Sequence, residues 1–145
     1  MNGNLLFGGA SEAAYEPLHE TITQKWFWKR LASFLRIGDV IAAENGTSLS
    51  GMLGVRLPRE TTFIAQPLWG SIGYTLPATF GSLIGAPERR YLLFIGDRSF
   101  QLTAQELSSI LRHNLKPIIF LINNDGYTIE RLILGAARAY NDIQP

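Results

Sequence analysis

The sequence predicts an α/β domain of three layers, in which a mainly parallel sheet lies between helices on both faces. Two short apolar runs, residues 91–95 and 118–122, flank a helical pattern. Buried strands of this length, joined through a helix, are typical of parallel crossover units. Each run ends in a polar loop that contains glycine, at Gly96-Asp97 and at residues 123–126. Both loops are therefore expected at the carboxyl edge of the sheet, where open α/β sheets bind ligands.

The composition indicates a single globular domain. Hydrophobic residues make up 46% of the 145 residues and charged residues 17%, which is enough for a substantial core. The net charge of +1 gives no reason to expect nucleic acid or an anionic membrane as a partner. The absence of cysteine excludes disulfides and thiolate metal sites. His19 and His113 lie far apart in the sequence, which does not favour a histidine metal site.

No targeting segment is recognised in the first residues, and a cytoplasmic protein is expected. Residues 61–87 carry no charge and are long enough to resemble a membrane span. Pro67, Pro77 and several glycines favour a buried helix with its loop instead. Residues 1–19 contain glycine and proline without a sustained period and are expected to be a tail or linker remnant. The predicted domain is residues 20–145.

The first half of this domain is expected to contain two helices and two strands. Thr23 is a candidate cap for a helix over residues 24–36, whose apolar face would be formed by Phe27, Leu31, Phe34 and Leu35. Residues 40–43 and 62–65 are short apolar runs and are predicted strands. The second helix is predicted over residues 71–84.

Polar or glycine-containing segments follow both of these strands. Residues 44–48 are predicted to form a loop on the ligand edge, although a Thr or Ser in it would equally serve to cap the following helix. After the second strand, Gly70 and Gly73 would let the backbone approach a flat ring and let the next helix pack closely. Such glycine spacing is weak evidence by itself.

The second half is expected to begin with a surface turn at residues 87–90, whose two arginines face solvent. Thr103 and Glu106 have the spacing of a capping box. The helix that they would start has an apolar face of Leu107, Ile110 and Leu111.

Three oxygen donors are expected to meet at the carboxyl edge. Asp97 offers a carboxylate, Asn124 an amide oxygen and the Gly126 region a main-chain carbonyl. Oxygen donors of low total charge suit Mg²⁺, which completes its octahedron with water and phosphate oxygens. These residue types therefore favour a magnesium-bound diphosphate. The alternatives, an aspartate that caps its loop and an Asn-Asn-Asp-Gly turn, stay open.

In this order, the motifs resemble those of thiamine-diphosphate-dependent 2-oxo acid decarboxylases. Gly96-Asp97 followed by Asn123-Asn124 is similar to the signature with which such enzymes bind their cofactor. The resemblance covers about residues 20–145 and implies the thiamine-diphosphate-binding fold, incomplete at its carboxyl end. Other segments narrow it to the indolepyruvate, phenylpyruvate, branched-chain and pyruvate decarboxylases, namely QPLWGSIGYT (66–75), NNDGYTIER (123–131) and YNDI (140–143).

The resemblance implies that thiamine diphosphate and Mg²⁺ bind at this edge. Asp97, Asn124 and the Gly126 carbonyl would hold the ion. The Gly70 carbonyl would accept a hydrogen bond from the aminopyrimidine, and Ile72 would hold the cofactor bent, although a core isoleucine is the alternative. The implied cofactor-binding residues are Asn45, Thr47, Gly70, Ile72, Asp97, Ser99, Asn124 and Gly126.

Glu130 follows the second loop at the start of a predicted helix. The resemblance makes it the catalytic acid/base group that handles the substrate carboxylate and protonates the enamine. A carboxyl group used in this way needs a pKa raised by an apolar site. The alternative is a carboxylate favoured at a helix start by the helix dipole.

Arg98 is the main departure from the family, which has glycine at this position. If the backbone needs positive φ there, arginine carries a steric cost of about 1–2 kcal/mol. Its guanidinium would either pair with the diphosphate or fill the space that the phosphate requires. The sequence leaves both outcomes open.

Two functional hypotheses follow. The first is the diphosphate-binding domain of a decarboxylase that acts on a 2-oxo acid, with a homo-oligomer or a complementary chain supplying the pyrimidine-binding domain. This chain alone is then expected to be inactive, and aldehyde formation by the pure chain would refute that. The second is a truncated, catalytically silent homologue that at most binds cofactor or pairs with a relative. An unrelated magnesium-nucleotide binder is not favoured, because a P-loop and a Rossmann fingerprint are both missing.

Overall fold

The structure, a computed structural model, describes residues 21–137 and residue 141. Its sheet has four strands in the order β2-β1-β3-β4, and all neighbouring pairs are parallel. The predicted α/β class is confirmed. The strands are β1 (Val40–Ala43), β2 (Thr62–Ile64), β3 (Tyr91–Gly96) and β4 (Ile118–Ile122). The helices are α1 (Gln24–Leu31), α2 (Thr47–Met52), α3 (Thr75–Gly85), α4 (Asp97–Thr103), α5 (Glu106–Arg112) and α6 (Thr128–Leu134).

Helices cover both faces of the sheet, so the three predicted layers are also confirmed. Successive residues of a strand point to opposite faces, and β1 and β3 are buried on both. One face packs on α1 and α2 through Trp28, Leu31, Leu35, Ile41, Ala43, Met52, Leu92 and Phe94. The other packs on α3 and α5 through Ala42, Leu76, Leu93, Ile95 and Ile110. The predicted tail, residues 1–19, and the YNDI segment apart from Asn141 lie outside the described residues.

Aromatic rings fill the first of these faces. Phe94 and Phe120 are register partners on β3 and β4, and their rings stack at 4.7 Å with an interplanar angle of 5°. The Trp28 ring lies 5.7 Å from Phe94, and its Nε1 donates to Gln24 Oε1 at 2.9 Å. A β-carbon at Gly51 would overlap the Trp28 indole. The glycine therefore lets α2 approach α1 closely.

The first two long helices are shorter than predicted. α1 ends at Leu31 rather than near residue 36, and the chain then turns so that the Phe34 ring meets Phe120 at 5.9 Å. α3 begins at Thr75 rather than near residue 71, so residues 61–87 contain β2, an irregular segment and one helix. None of the helices in the described part of the chain combines the length and apolar character needed to cross a membrane.

The predicted capping box is wrong. Thr103 is the last residue of α4, and its hydroxyl donates to the Gly73 carbonyl at 2.8 Å. α5 is preceded by Gln105, which makes no side-chain capping bond. Leu111, predicted on the apolar face, is exposed. A cap residue lies outside the helix in a non-helical conformation, and Thr103 instead belongs to the last turn of α4.

The two arginines of the predicted surface turn bind protein groups, so the expectation that they face solvent is wrong. The Arg89 guanidinium donates to the Gly38 carbonyl at 2.8 Å and to Thr62 Oγ1 at 2.8 Å. Arg90 pairs with the buried carboxylate of Asp39 at 3.1 Å. These contacts hold together the amino ends of β1, β2 and β3, opposite the predicted ligand edge.

Burial raises the pKa of the Tyr91 phenol above its ordinary value of 10.0; the charge of Arg89 lowers this pKa and that of Glu88 raises it. The phenol donates to the Ser82 carbonyl at 2.7 Å. A raised pKa in the folded state contributes stability below pH 10 that is lost as the pH rises through the folded pKa. We therefore expect unfolding in urea to become easier above pH 10, and less so in Tyr91→Phe. A Tyr74→Phe control should keep the full alkaline loss, and an identical loss in Tyr91→Phe would contradict this assignment.

Candidate functional site

A cleft lies where β1, β3 and β4 reach their carboxyl ends. Its empty space amounts to about 410 Å³, part of which is open to solvent. Apart from Gly70, all the cofactor-binding and catalytic residues implied by the resemblance line it: Asn45, Thr47, Ile72, Asp97, Ser99, Asn124, Gly126 and Glu130. Gly70 is exposed, two residues before Ile72, with φ +62°. The parallel sheet thus brings residues from distant parts of the sequence to one edge.

Strand register explains why Asp97 and Asn124 are neighbours. Gly96 at the end of β3 is the partner of Ile122 at the end of β4, so each side chain follows its strand at the same edge. Asp97 is buried, and its Oδ2 accepts a hydrogen bond from the Gly126 N–H at 3.1 Å. The two loops that follow β3 and β4 are therefore joined directly.

The remaining oxygens of these loops converge. One terminal atom of the Asn124 amide lies 3.3 Å from Asp97 Oδ1 and 3.1 Å from the Gly126 carbonyl oxygen. With nitrogen at that position, the amide donates to both oxygens and to Thr128 Oγ1 at 3.1 Å, and this is the orientation that satisfies its hydrogen bonds. With oxygen there, the amide oxygen faces the Asp97 and Gly126 oxygens, and the Asn124 nitrogen lies 3.5 Å from Thr47 Oγ1. Octahedral Mg²⁺ at about 2.1 Å from its ligands places neighbouring oxygens about 3 Å apart, so the donor set fits the ion once the amide turns its oxygen inward.

The chemistry of the donors agrees with a hard cation. No group of three or more His, Cys, Asp or Glu side chains suited to a metal occurs in residues 21–137 or at residue 141. An ion at this edge would be held by one carboxylate, one amide and one main-chain carbonyl, and oxygen-only sets of this kind suit Mg²⁺ rather than zinc or copper.

Gly126 has a backbone conformation that only glycine adopts without strain. Its φ is +125°, and a β-carbon there would overlap the Asn141 carbonyl and the Arg131 guanidinium. The same residue supplies both an N–H to Asp97 and a carbonyl to the oxygen cluster. The sequence analysis singled out Gly126 for its carbonyl and did not predict the hydrogen bond from its N–H to Asp97.

Arg98 is buried beside Asp97, with 4% of its surface exposed. Its Nε lies 3.6 Å from Asp97 Oδ2, and Nε and Nη1 have no hydrogen-bond acceptor. Arg98 is the second residue of α4 and is absent from the residues with positive φ. The steric cost considered for arginine at this position therefore does not arise.

Glu44 is a site residue that the sequence did not reveal. It is fully buried at the end of β1, and its Oε2 accepts from Gly73 N at 3.1 Å, Thr75 N at 3.1 Å and Thr75 Oγ1 at 2.7 Å. Its Oε1 accepts from Asn45 N at 2.9 Å. The carboxylate therefore fixes the glycine segment before α3 against the end of β1. A glutamate that directly follows a wholly apolar strand was the available signal.

Asn45 and Thr47 lie where β1 leads into α2. The Asn45 side chain donates to the Gln66 carbonyl at 2.6 Å, which holds the start of residues 66–73, the segment before α3, near the cleft. Thr47 is the first residue of α2, and the residue before it, Gly46, has φ +107° and makes no side-chain cap. The alternative in which a Thr or Ser of this segment caps the helix is therefore wrong.

The fold and the site define an α/β domain whose carboxyl-edge cleft suits a phosphorylated ligand together with a divalent cation. The particular family follows from comparison. The family model described as "Thiamine pyrophosphate enzyme, C-terminal TPP binding domain" matches residues 46–141, and the chain belongs to this family.

Curated relatives agree with this family. The chain is 52% identical over 127 residues to an alpha-keto-acid decarboxylase of Mycolicibacterium paratuberculosis, which covers 88% of this chain and 23% of the relative. It is 53% identical over 124 residues to an alpha-keto-acid decarboxylase of Mycobacterium tuberculosis H37Rv, covering 86% of this chain and 22% of the relative. The chain thus spans less than a quarter of the length of these relatives.

A solved structure supports the fold. It is an X-ray structure of a protein from Mycobacterium smegmatis that is provisionally assigned to the thiamin diphosphate-dependent enzymes. The two chains superpose with a TM-score of 0.66 at 22% identity, over 73% of this chain and 21% of the other. At this identity the likeness shows the fold alone.

Proposed function

We propose that this domain binds the diphosphate of thiamine diphosphate, together with Mg²⁺, for a non-oxidative decarboxylase of 2-oxo acids of the indolepyruvate, phenylpyruvate or pyruvate type. One observation carries the proposal: the Asn124 amide lies 3.3 Å from Asp97 Oδ1 and 3.1 Å from the Gly126 carbonyl oxygen, so that turning its oxygen inward gives the spacing between neighbouring ligands of an octahedral ion. Bound Mg²⁺ would neutralise and orient the diphosphate. Bound thiamine diphosphate supplies the electron sink for decarboxylation.

The other cleft residues have chemistry suited to the rest of the cofactor. The cleft lining offers polar groups for the polar end of the cofactor, on Asn45, Thr47 and Ser99. It also offers the apolar side chain of Ile72. Gly70 is proposed to use its carbonyl for the aminopyrimidine. Gly70 directly precedes Ser71, and the Ser71 carbonyl oxygen lies 3.4 Å from Asn45 Nδ2 in the cleft lining. This contact keeps Gly70 near the cleft.

Glu130 is proposed as the acid/base group that acts on the substrate. It lies in the first turn of α6 and lines the cleft, half buried. A carboxyl group can move a proton only where it reaches the reacting atoms, and a position in the lining of the cleft supports this proposal. Its role requires a bound 2-oxo acid.

Catalysis is proposed to need a further domain. The chain spans about 22% of its curated relatives, so most of a relative's length has no counterpart here. We place the pyrimidine-binding domain in that remainder, contributed by a complementary chain or by a second subunit of a homo-oligomer in the cytoplasm. This domain alone then holds one half of the cofactor and does not turn over substrate.

The test is a calorimetric titration of the purified chain in Mg²⁺ with three ligands: thiamine diphosphate, thiamine and ADP. We expect saturable binding of thiamine diphosphate and none of thiamine, because the diphosphate carries the interaction. Binding of ADP as tight as thiamine diphosphate would contradict the cofactor assignment in favour of a general diphosphate site. Binding of thiamine alone with equal affinity would contradict the placement of the diphosphate.

The metal part of the proposal is tested by a titration of the chain with Mn²⁺, a paramagnetic substitute for Mg²⁺, in the presence of thiamine diphosphate. Asp97→Asn removes a charged ligand and is expected to weaken Mn²⁺ binding in the presence of thiamine diphosphate by more than about 10-fold. Asp125→Asn makes the same chemical change at an exposed neighbour and should leave it unaltered. Equal affinities in the two variants would remove Asp97 from the metal site.

A catalytically silent homologue is the second candidate function. It is favoured by the buried guanidinium of Arg98 beside Asp97, which could fill the space of a phosphate. If Arg98 fills the phosphate space in this way, the natural chain binds no thiamine diphosphate under any metal condition.

A further inference from the structure

Arg98 has hydrogen-bonding capacity that the protein does not use. Arg98 is one of the residues that line the cleft and is 4% exposed, and its Nε and Nη1 are buried without an acceptor. A guanidinium carries five N–H donors, and leaving them unpaired inside a protein is unfavourable. An acceptor that enters the cleft would relieve this cost.

Asp97 attracts Arg98 without satisfying it. The Nε to Oδ2 distance of 3.6 Å is longer than a hydrogen bond, and the same oxygen already accepts the Gly126 N–H at 3.1 Å. Asp97 Oδ1 lies 3.3 Å from the Asn124 amide. The two carboxylate oxygens thus have different neighbours, the guanidinium near Oδ2 and the Asn124 amide near Oδ1.

The charge of the cleft gives Arg98 a particular weight. Among the described residues that line the cleft, Arg98 is the only cationic side chain, while Asp97 and Glu130 are acidic. A diphosphate that entered would therefore meet two sources of positive charge, the guanidinium and a divalent ion. The planar guanidinium matches phosphate oxygens with paired N–H donors.

We infer that Arg98 binds the diphosphate directly and takes over part of the charge neutralisation that Mg²⁺ supplies, so that diphosphate binding here depends only weakly on the metal. The positive charge beside Asp97 also reduces the attraction of this carboxylate for a divalent ion. This inference rests on the proposed function, since it concerns the same cofactor at the same edge.

The experiment measures the dissociation constant of thiamine diphosphate by calorimetry, once in Mg²⁺ and once in EDTA. Arg98→Met keeps the helix propensity and much of the volume of the side chain in α4, and Arg98→Gly removes the side chain altogether. Arg56→Met, at an exposed position away from the cleft, controls for the lost charge. Circular dichroism establishes that each variant is folded before it is titrated.

We expect removal of Mg²⁺ to weaken binding by less than about 10-fold in the natural chain and in Arg56→Met, because the Arg98 guanidinium still binds the diphosphate. In Arg98→Met the guanidinium is missing as well, and removal of Mg²⁺ should weaken binding by about 100-fold, since each charge-assisted hydrogen bond accounts for about tenfold. Equal metal dependence in the natural chain and Arg98→Met would overturn the inference and leave the proposed function intact. Binding by Arg98→Gly but not by the natural chain would overturn it as well, since the arginine would then block the site. Absence of binding in every variant would overturn the proposed function itself.

Discussion

Glu44→Ala is expected to lower the free energy of unfolding by about 4 kcal/mol, because several buried donors lose their acceptor at once. The carboxylate accepts from Gly73 N, Thr75 N and Thr75 Oγ1 through one oxygen and from Asn45 N through the other. Alanine provides no acceptor, and the site is fully buried, so water does not replace the lost bonds. Urea unfolding of the natural and variant chains measures the difference.

Two further variants separate the effect of the acceptor from that of the charge. Glu44→Gln keeps one oxygen for the Gly73 and Thr75 donors but turns an amide nitrogen toward Asn45 N, and should cost about 1–2 kcal/mol. Glu88→Ala removes an exposed carboxylate and should change stability by less than about 0.5 kcal/mol. A loss below about 1 kcal/mol in Glu44→Ala would show that the network contributes little.

Gly126→Ala is expected to cost about 3 kcal/mol in stability and to remove the contribution that Mg²⁺ makes to the binding of thiamine diphosphate. The φ of +125° disfavours any L side chain, and the new β-carbon would overlap the Asn141 carbonyl. To escape, the loop must move, which separates the Gly126 N–H from Asp97 and its carbonyl from Asn124. Urea unfolding and calorimetric titration follow the two effects separately.

Gly81→Ala is the matched control for this substitution. Gly81 lies in α3, where an added β-carbon meets no atom within 4 Å and φ is not positive. Alanine should stabilise this helix position by about 0.5–1 kcal/mol, so the two glycine variants are expected to differ in sign. If Gly126→Ala unfolded at the same urea concentration as the natural chain, the loop would adapt to the new side chain without a cost in stability.

The strands were predictable because buried parallel strands are continuous apolar runs. Residues 40–43 and 118–122 match β1 and β4, and residues 91–95 differ from β3 only by Gly96. The meeting of Asp97 with Asn124 followed from the rule that the carboxyl ends of parallel strands share an edge. The binding roles of these residues stay predictions that the variants above test.

The contacts that fix the site were not predictable, since they join residues far apart in the sequence. Glu44 accepts from main-chain N–H groups 29 and 31 residues away, and a main-chain donor leaves no mark in a sequence. Arg89 reaches the Gly38 carbonyl across 51 residues for the same reason. Thr103 had the spacing of a helix cap, yet its acceptor lies 30 residues earlier. Local patterns identify elements, and the folded chain decides which polar groups pair.

The cleft exists only while β1, β3 and β4 lie side by side, since residues at or just after the carboxyl end of each strand line it. A ligand held there has no binding partner in the unfolded chain. Its binding energy therefore adds to the stability of the whole sheet, by about 2.7 kcal/mol at a ligand concentration 100 times the dissociation constant. The cofactor concentration around the protein would then help to set how much of the domain is folded at any moment and how much is exposed to proteolysis.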